Sequence, residues 1–267
     1  MSRRFDMLRD IHSIWLREMT RYARARSRVV ISFVQPMVWL IIFGVGFSSS
    51  LGSSLQLAGA TGPTNYLAFL VPGLLGFMAL LNSFTTSSGI SFMTDKQFGF
   101  LKEILVAPVS RSSILLGKAL GGTTTAMIQG LVLVIIAALF GVRLSGPLGF
   151  PSALALTVVI LFLITMGFSS LGLSIASQVE SLEGFQVVMV FLALPLFFLS
   201  GALFPVTSLP AWMKVLVDIN PLTYAVDALR YAITGLHAYP LTLDVSIVVG
   251  FFVVVTAIGS ILFRNVH

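Results

Sequence analysis

The chain has 267 residues, of which 57% are hydrophobic and 10% charged, and its mean hydropathy is +0.99. A soluble chain carries about 25% charged residues, so a water-soluble globular class is excluded and lipid is the expected solvent. With no cysteine present, disulfides, thiolate chemistry and Cys-based zinc sites are excluded as well.

Residues 1–28 form a charged tail. Its part from residue 7 onward reads as an amphipathic helix: Leu8, Ile11, Trp15, Met19 and Tyr22 recur on one side, and Arg9, Arg17, Arg21, Arg24 and Arg28 occupy the other. Such a helix lies in the membrane interface with its arginines near anionic lipid headgroups. The first apolar run starts only at Val29 and is long enough to span, so it is expected to be retained and not cleaved as a signal peptide.

A span needs about 20 apolar residues, and residues 29–267 supply six such runs, at about 29–47, 67–92, 119–140, 153–176, 185–204 and 245–263. None of the six contains Asp, Glu, Lys, Arg or His; every ionisable residue falls in a connection or a tail. The runs are too long and too uniformly apolar for barrel strands of alternating polarity, so the expected fold is an all-α membrane protein. Pro36, Pro72 and Pro195 fall inside spans and are expected to kink them. The second span carries a polar run from Asn82 to Ser88, whose hydroxyls are expected to bond their own or a neighbouring helix. Gly117 and Gly121, four apart at the start of the third span, predict close helix packing.

The connections differ in kind. Residues 48–66 are rich in Gly, Ser and Thr, while 141–152 and 177–184 are short. The connection 93–118 is charged yet places Phe98, Leu101 and Leu105 at helical spacing, which predicts a short helix. The segment 205–244 is too long to lack secondary structure, and short helices dipping partly into the outer leaflet are expected there. Within it, Asp227 and Arg230 are expected to form an exposed pair worth only about 0.2–0.5 kcal/mol.

Eight of the 16 Lys and Arg precede Val29, four more (Lys96, Lys102, Arg111, Lys118) flank 93–118, and Arg264 lies in the C-terminal tail. If those regions are cytoplasmic, only Arg143, Lys214 and Arg230 lie outside, which is the positive-inside pattern. Both termini are therefore expected in the cytoplasm of a multi-pass plasma-membrane protein. The same placement explains the net charge of +6 without a nucleic-acid partner.

No GxxxxGK[ST] phosphate loop occurs, so ATP binding by this chain is not expected. His12, His237 and His267 are scattered, and no metal or hydrolytic motif is present. A lipid-modifying enzyme would need a cluster of acids, bases or ligands; Asp218, Asp227, His237 and Asp244 are its external candidates and match no catalytic spacing. A stand-alone secondary transporter or channel would need a titratable group at membrane depth, and no inverted repeat supports that class.

Two stretches carry a resemblance. Lys102-Glu103-Ile104-Leu105-Val106-Ala107-Pro108, followed by Arg111-Ser112 and Leu116-Gly117-Lys118, resembles the cytoplasmic loop of type-two ABC exporter permeases. Ser200-Gly201-Ala202-Leu203-Phe204-Pro205, then Leu209-Pro210, then the run from Asn220 to Arg230, resembles that family's signature before its last helix. The branch it is most similar to is the daunorubicin-resistance and nodulation lipo-oligosaccharide permeases. The resemblance implies a second permease copy and a separate ATP-binding cassette subunit that binds ATP and Mg. It places a coupling helix at about Gln97–Val106, with Gln97, Phe98, Leu101, Lys102, Glu103 and Leu105 as its working residues. It makes the amphipathic segment a connecting helix, with Ile11, Trp15, Arg17 and Arg21 as contacts. It also lines an export path between the two copies with the second and fifth spans, here Phe77, Asn82, Leu194 and Phe198.

Overall fold

The computed structural model describes residues 2–56, 63–87, 89–100, 109–142 and 149–203, then Val206 and 210–263, together with Pro147. Among them the regular structure is helical, with no strand. In chain order, α1 is Ser2–Arg24, α2 Arg26–Gln56 and α3 Pro63–Leu81; a π-helical turn over Asn82–Ser87 leads to α4, Gly89–Gln97. There follow α5 (Arg111–Leu139), α6 (Phe150–Gln178), α7 (Leu182–Phe198), α8 (Ala211–Ile219), α9 (Pro221–Thr234) and α10 (Leu241–Leu262).

Four helical stretches are long and apolar enough to cross a bilayer: Tyr66–Gln97, Arg111–Leu139, Phe150–Gln178 and Leu241–Leu262. Met7–Arg24 and Val29–Gly44, bent by 83°, qualify together as a fifth. The remaining expected span falls on α7, whose 17 residues, with Glu183 and Gln186 near their start, sit at the short end of the spanning range. Pro36, Pro72 and Pro195 lie within α2, α3 and α7 without ending them. The polar run after Leu81 is where the second span widens into π geometry, a form often found at functional sites.

The expected connection 93–118 is shorter than its charges imply. The second span continues through Asp95 and Lys96 to Gln97, and α5 already begins at Arg111 and includes Lys118. Ionisable residues thus occupy helix positions, because they find partners there. Leu101 to Pro108, with the expected coupling residues Leu101, Lys102, Glu103 and Leu105, lie outside the described residues.

Contacts set the polarity of the bundle. Ser112 and Ser260 share a hydrogen bond of 2.8 Å, Lys96 Nζ donates to the Val179 carbonyl at 2.9 Å, and the rings of Phe92 and Phe263 lie 5.1 Å apart. The ends of α4, α6 and α10 and the start of α5 therefore share one end of the molecule. The central core is the span α3–α4, with Leu70, Leu74, Leu75, Met78, Phe84 and Phe92 buried among its neighbours.

The segment 205–244 holds short helices, as expected, α8 and α9; α9 is enclosed by α3, α6 and α10, and Leu222 through Arg230 are all buried. Its start is set by Asn220, whose Oδ1 accepts from Leu222 N (3.0 Å) and whose Nδ2 donates to the Leu196 carbonyl (2.7 Å). Pro221 then occupies the first turn, where its missing N–H is no loss.

Candidate functional site

The two glycines of α5 let α1 lie directly on it. A Cβ at Gly117 would stand 2.7 Å from Ile14 Cβ, and one at Gly121 would stand 2.8 Å from Glu18 Cβ. Neither approach is open to a larger residue. With α1 seated this closely, Ile11, Ile14, Trp15, Met19 and Tyr22 are half-buried and Glu18 is buried, while Leu8 stays exposed. The indole of Trp15 donates to Thr124 Oγ1 at 3.0 Å and fixes the register.

Beneath α1 the chain assembles an ion cluster. Lys118 Nζ donates to Glu18 Oε1 at 2.9 Å, to Asp95 Oδ2 at 2.6 Å and to Ser91 Oγ at 3.1 Å. Those three bonds satisfy all three ammonium donors. Ser91 in turn donates to Glu18 Oε2 at 2.9 Å. Asp95 also meets Arg17 at 3.3 and 3.4 Å and Arg21 at 3.2 Å. Lys118 and Asp95 are 0% exposed and Glu18 is 5% exposed, so one cation and two carboxylates are enclosed, with the partly exposed Arg17 and Arg21 closing the cluster at its solvent side.

The physics of such a cluster is one-sided. Burying the charges costs several kcal/mol per ion in desolvation, and mutual attraction offsets this only when the geometry is complete. Asp95 also sits in the last turn of α4, where a carboxylate opposes the helix macrodipole. Its three basic partners, and not the helix, offset its charge. The cluster joins α1, α4 and α5 at the end where the chain leaves α4 and re-enters α5.

Sequence reasoning singled out Arg17 and Arg21 and missed Glu18, Ser91, Asp95 and Lys118 as a unit. Arg17 and Arg21 turn toward Asp95, away from the headgroup role read for them. One signal was available: Glu18 lies at helical spacing on the apolar face with Ile11, Trp15 and Tyr22. A lone carboxylate on a face that packs requires a buried cation.

The other expected site residues separate into groups. Gln97 and Phe98 are exposed just past the cluster. Phe77 and Asn82 are buried inside the bundle, where the Phe77 ring lies 3.9 Å from Phe197 and 5.5 Å from Trp39. Leu194 and Phe198 are exposed on α7, beside exposed Val187, Val190 and Phe191. Phe77 therefore backs the α7 layer from behind, and the four residues line no common surface within one chain.

At the opposite end, Asp227 and Arg230 are 2% and 6% exposed, which corrects the reading of a surface pair. The Asp227 carboxylate accepts from Ala238 N at 3.0 and 2.8 Å and from Tyr239 N at 2.9 Å, with Arg230 at 3.8 Å. Arg230 donates to the Gly201 carbonyl at 2.8 Å and stacks 4.1 Å over the Phe69 ring. Burial lowers the guanidinium to about 10, against the opposing pull of Asp227, so it remains charged at neutral pH. Burial and the bond to Asp218 (2.6 Å) raise the Tyr239 hydroxyl. The acids of this end serve as backbone caps and pair partners, apart from Asp244, which is buried and has no hydrogen-bond partner among the described residues.

Residues 9–234 match the family model described as ABC-2 type transporter. The inner membrane transport permease YadH of Escherichia coli (strain K12) is 27% identical over 245 residues, covering 91% of this chain and 90% of that protein. A ycf38 protein of Cyanophora paradoxa, which carries a transport-permease name, is 32% identical over 228 residues, or 85% and 75% of the two chains. The daunorubicin resistance ABC transporter permease protein DrrB1 of Streptomyces coeruleorubidus is 25% identical over 223 residues, or 83% and 74%.

Proposed function

The chain belongs to the ABC-2 type transporter family, and from that premise we propose that it is the membrane subunit of an ATP-driven exporter whose hydrolysis occurs in a separate cassette subunit. One observation carries the reading furthest: an amphipathic helix pinned by buried ions to the two helices that bracket residues 98–110. That stretch, joining α4 to α5 at the end where α1 docks, is the place for a soluble subunit to push.

The end bearing the ion cluster is cytoplasmic, as the concentration of Lys and Arg there supports. Six membrane crossings, with α7 as a short fifth span, return the C-terminus to that side. Two copies pair so that the exposed faces of their α7 helices border the export path. Leu194 and Phe198 then meet substrate directly, while Phe77 supports them from behind. A path walled by Leu and Phe suits an amphipathic drug, lipid or glycolipid-like substrate better than a small ion. ATP and Mg are held by the cassette subunit, whose closure rocks the two permease copies between inward- and outward-facing states.

Purification of the permease with its candidate cassette subunit tests this. A stable complex containing two copies of each, with ATPase activity stimulated by the permease, is the expected result; a permease that neither binds nor stimulates the cassette contradicts it. Within that complex, Glu103→Ala is expected to leave membrane insertion intact while lowering transport per ATP hydrolysed by about fivefold or more. Transport per ATP equal to that of the unaltered protein removes Glu103 from the mechanism.

A further inference from the structure

We infer that Lys118 is a positioning residue for force transfer: its buried ammonium welds α1 to the paired ends of α4 and α5, so that the three move as one body. The inference rests on the exporter reading above. It adds a statement about which parts move together.

Lys118, on α5, bonds to α1 through Glu18 and to α4 through Asp95, so both buried carboxylates of the cluster share its ammonium. Each bond is short, and none of the three side chains has an alternative route to water, since all are buried. Sliding α1 along α5 by one turn would part Glu18 from Lys118 and leave the Glu18 carboxylate without its cation in a dry site, the costly outcome for a buried ion, while Lys118 kept Asp95. The close seats at Gly117 and Gly121 and the Trp15–Thr124 bond oppose the same motion sterically and by register. Because α1 meets α2 at 83°, a push on the stretch between α4 and α5 is delivered through α1 to the first span. Without the weld, α1 is tied to α4 only through the partly exposed Arg17 and Arg21 and the Ser91–Glu18 bond, and the first span lags behind the second and third.

The chain has no cysteine, so two introduced thiols report on one distance. Spin labels at Leu16→Cys on α1 and Ile128→Cys on α5, both exposed positions, are read in the full permease–cassette complex with and without ATP. A single narrow distance, unchanged by nucleotide, is expected. In Lys118→Met the distribution should broaden, and ATP hydrolysed per molecule of daunorubicin exported, used as a fluorescent amphipathic probe, should rise by about fivefold or more. Lys118→Arg should restore both readouts. Glu18→Gln, which keeps shape and hydrogen bonding, is the milder arm should Lys118→Met fail to fold, and it should shift both in the same direction. A distance that changes with ATP in the unaltered protein overturns the inference, as does coupling within twofold of normal in a folded Lys118→Met or Glu18→Gln. Loss of ATP-dependent export in the unaltered complex would instead overturn the exporter reading and leave the distance result standing.

Discussion

Asp227→Ala is expected to destabilise the fold by about 3–5 kcal/mol, the range for leaving one member of a buried pair uncompensated. Three groups lose their acceptor at once: the amides of Ala238 and Tyr239, and the guanidinium of Arg230. None can turn to solvent cheaply. Arg230 is held between the Phe69 ring and the Gly201 carbonyl and stays charged at neutral pH. The two amides belong to the turn that reverses the chain from α9 into α10, so their loss loosens the start of the last span. Thermal unfolding in detergent should show a drop of roughly 6–20 °C, taking about 2–4 °C per kcal/mol for a chain of this size. Asp227→Asn, which keeps an acceptor oxygen, should recover part of that loss. A melting temperature within about 2 °C of normal for Asp227→Ala would mean that this end is not held by its carboxylate.

Gly73→Ala is expected to cost about 3 kcal/mol, the upper end for an overpacked core. A Cβ there would stand 2.2 Å from the Ala202 carbonyl oxygen and 2.8 Å from both its carbonyl carbon and its Cα. All three are backbone atoms, so no rotamer change relieves the clash. The turn through Ala202 and the second span would have to part. That movement would also pull the Gly201 carbonyl from Arg230, so the two sites are coupled. The control is Gly46→Ala on α2, where a Cβ meets nothing within 4 Å; Ala is the better helix former by about 1 kcal/mol, so this change should be neutral or stabilising. Folded yield and melting temperature in detergent compare the two directly. Equal behaviour of Gly73→Ala and Gly46→Ala would contradict the close approach.

The apolar framework was legible because a bilayer imposes length and composition on every span, and each expected run falls on a helix. The two glycines of α5 were also legible, since small residues four apart have one common purpose, and here they seat α1. Charge was harder to place. Asp95 and Lys118 look like loop residues when each is taken alone. Only their mutual pairing, together with Glu18 from 100 positions away in the case of Lys118, makes the helix interior tolerable. Likewise the three-residue spacing of Asp227 and Arg230 predicts a pair whether α9 lies on the surface or, as found, inside. Burial depends on which helices surround α9, and spacing along the chain carries no record of that.

These corrections bear on energy coupling. Five ionisable residues (Asp95, Lys96, Arg111, Lys118 and Asp244) now belong to the four helices that can cross the bilayer, but each lies toward a helix end. Asp95 is in the last turn of α4 and Asp244 in the first turn of α10. Lys118 lies about 10 Å along α5, a helix of about 44 Å against a hydrocarbon core of about 30 Å, so it fits within the excess length at that end. The middle of each span stays free of charge. A proton path would need carriers there, which is why the exporter proposed above takes its energy from outside the spans.

The most direct measurement is therefore transport of fluorescent amphipathic probes in proteoliposomes holding the permease with or without its candidate cassette subunit, under ATP or under an imposed proton gradient. Transport that requires both cassette and ATP, and that persists when a protonophore collapses the gradient, is the predicted result. Gradient-driven transport by the permease alone, without nucleotide, would contradict it.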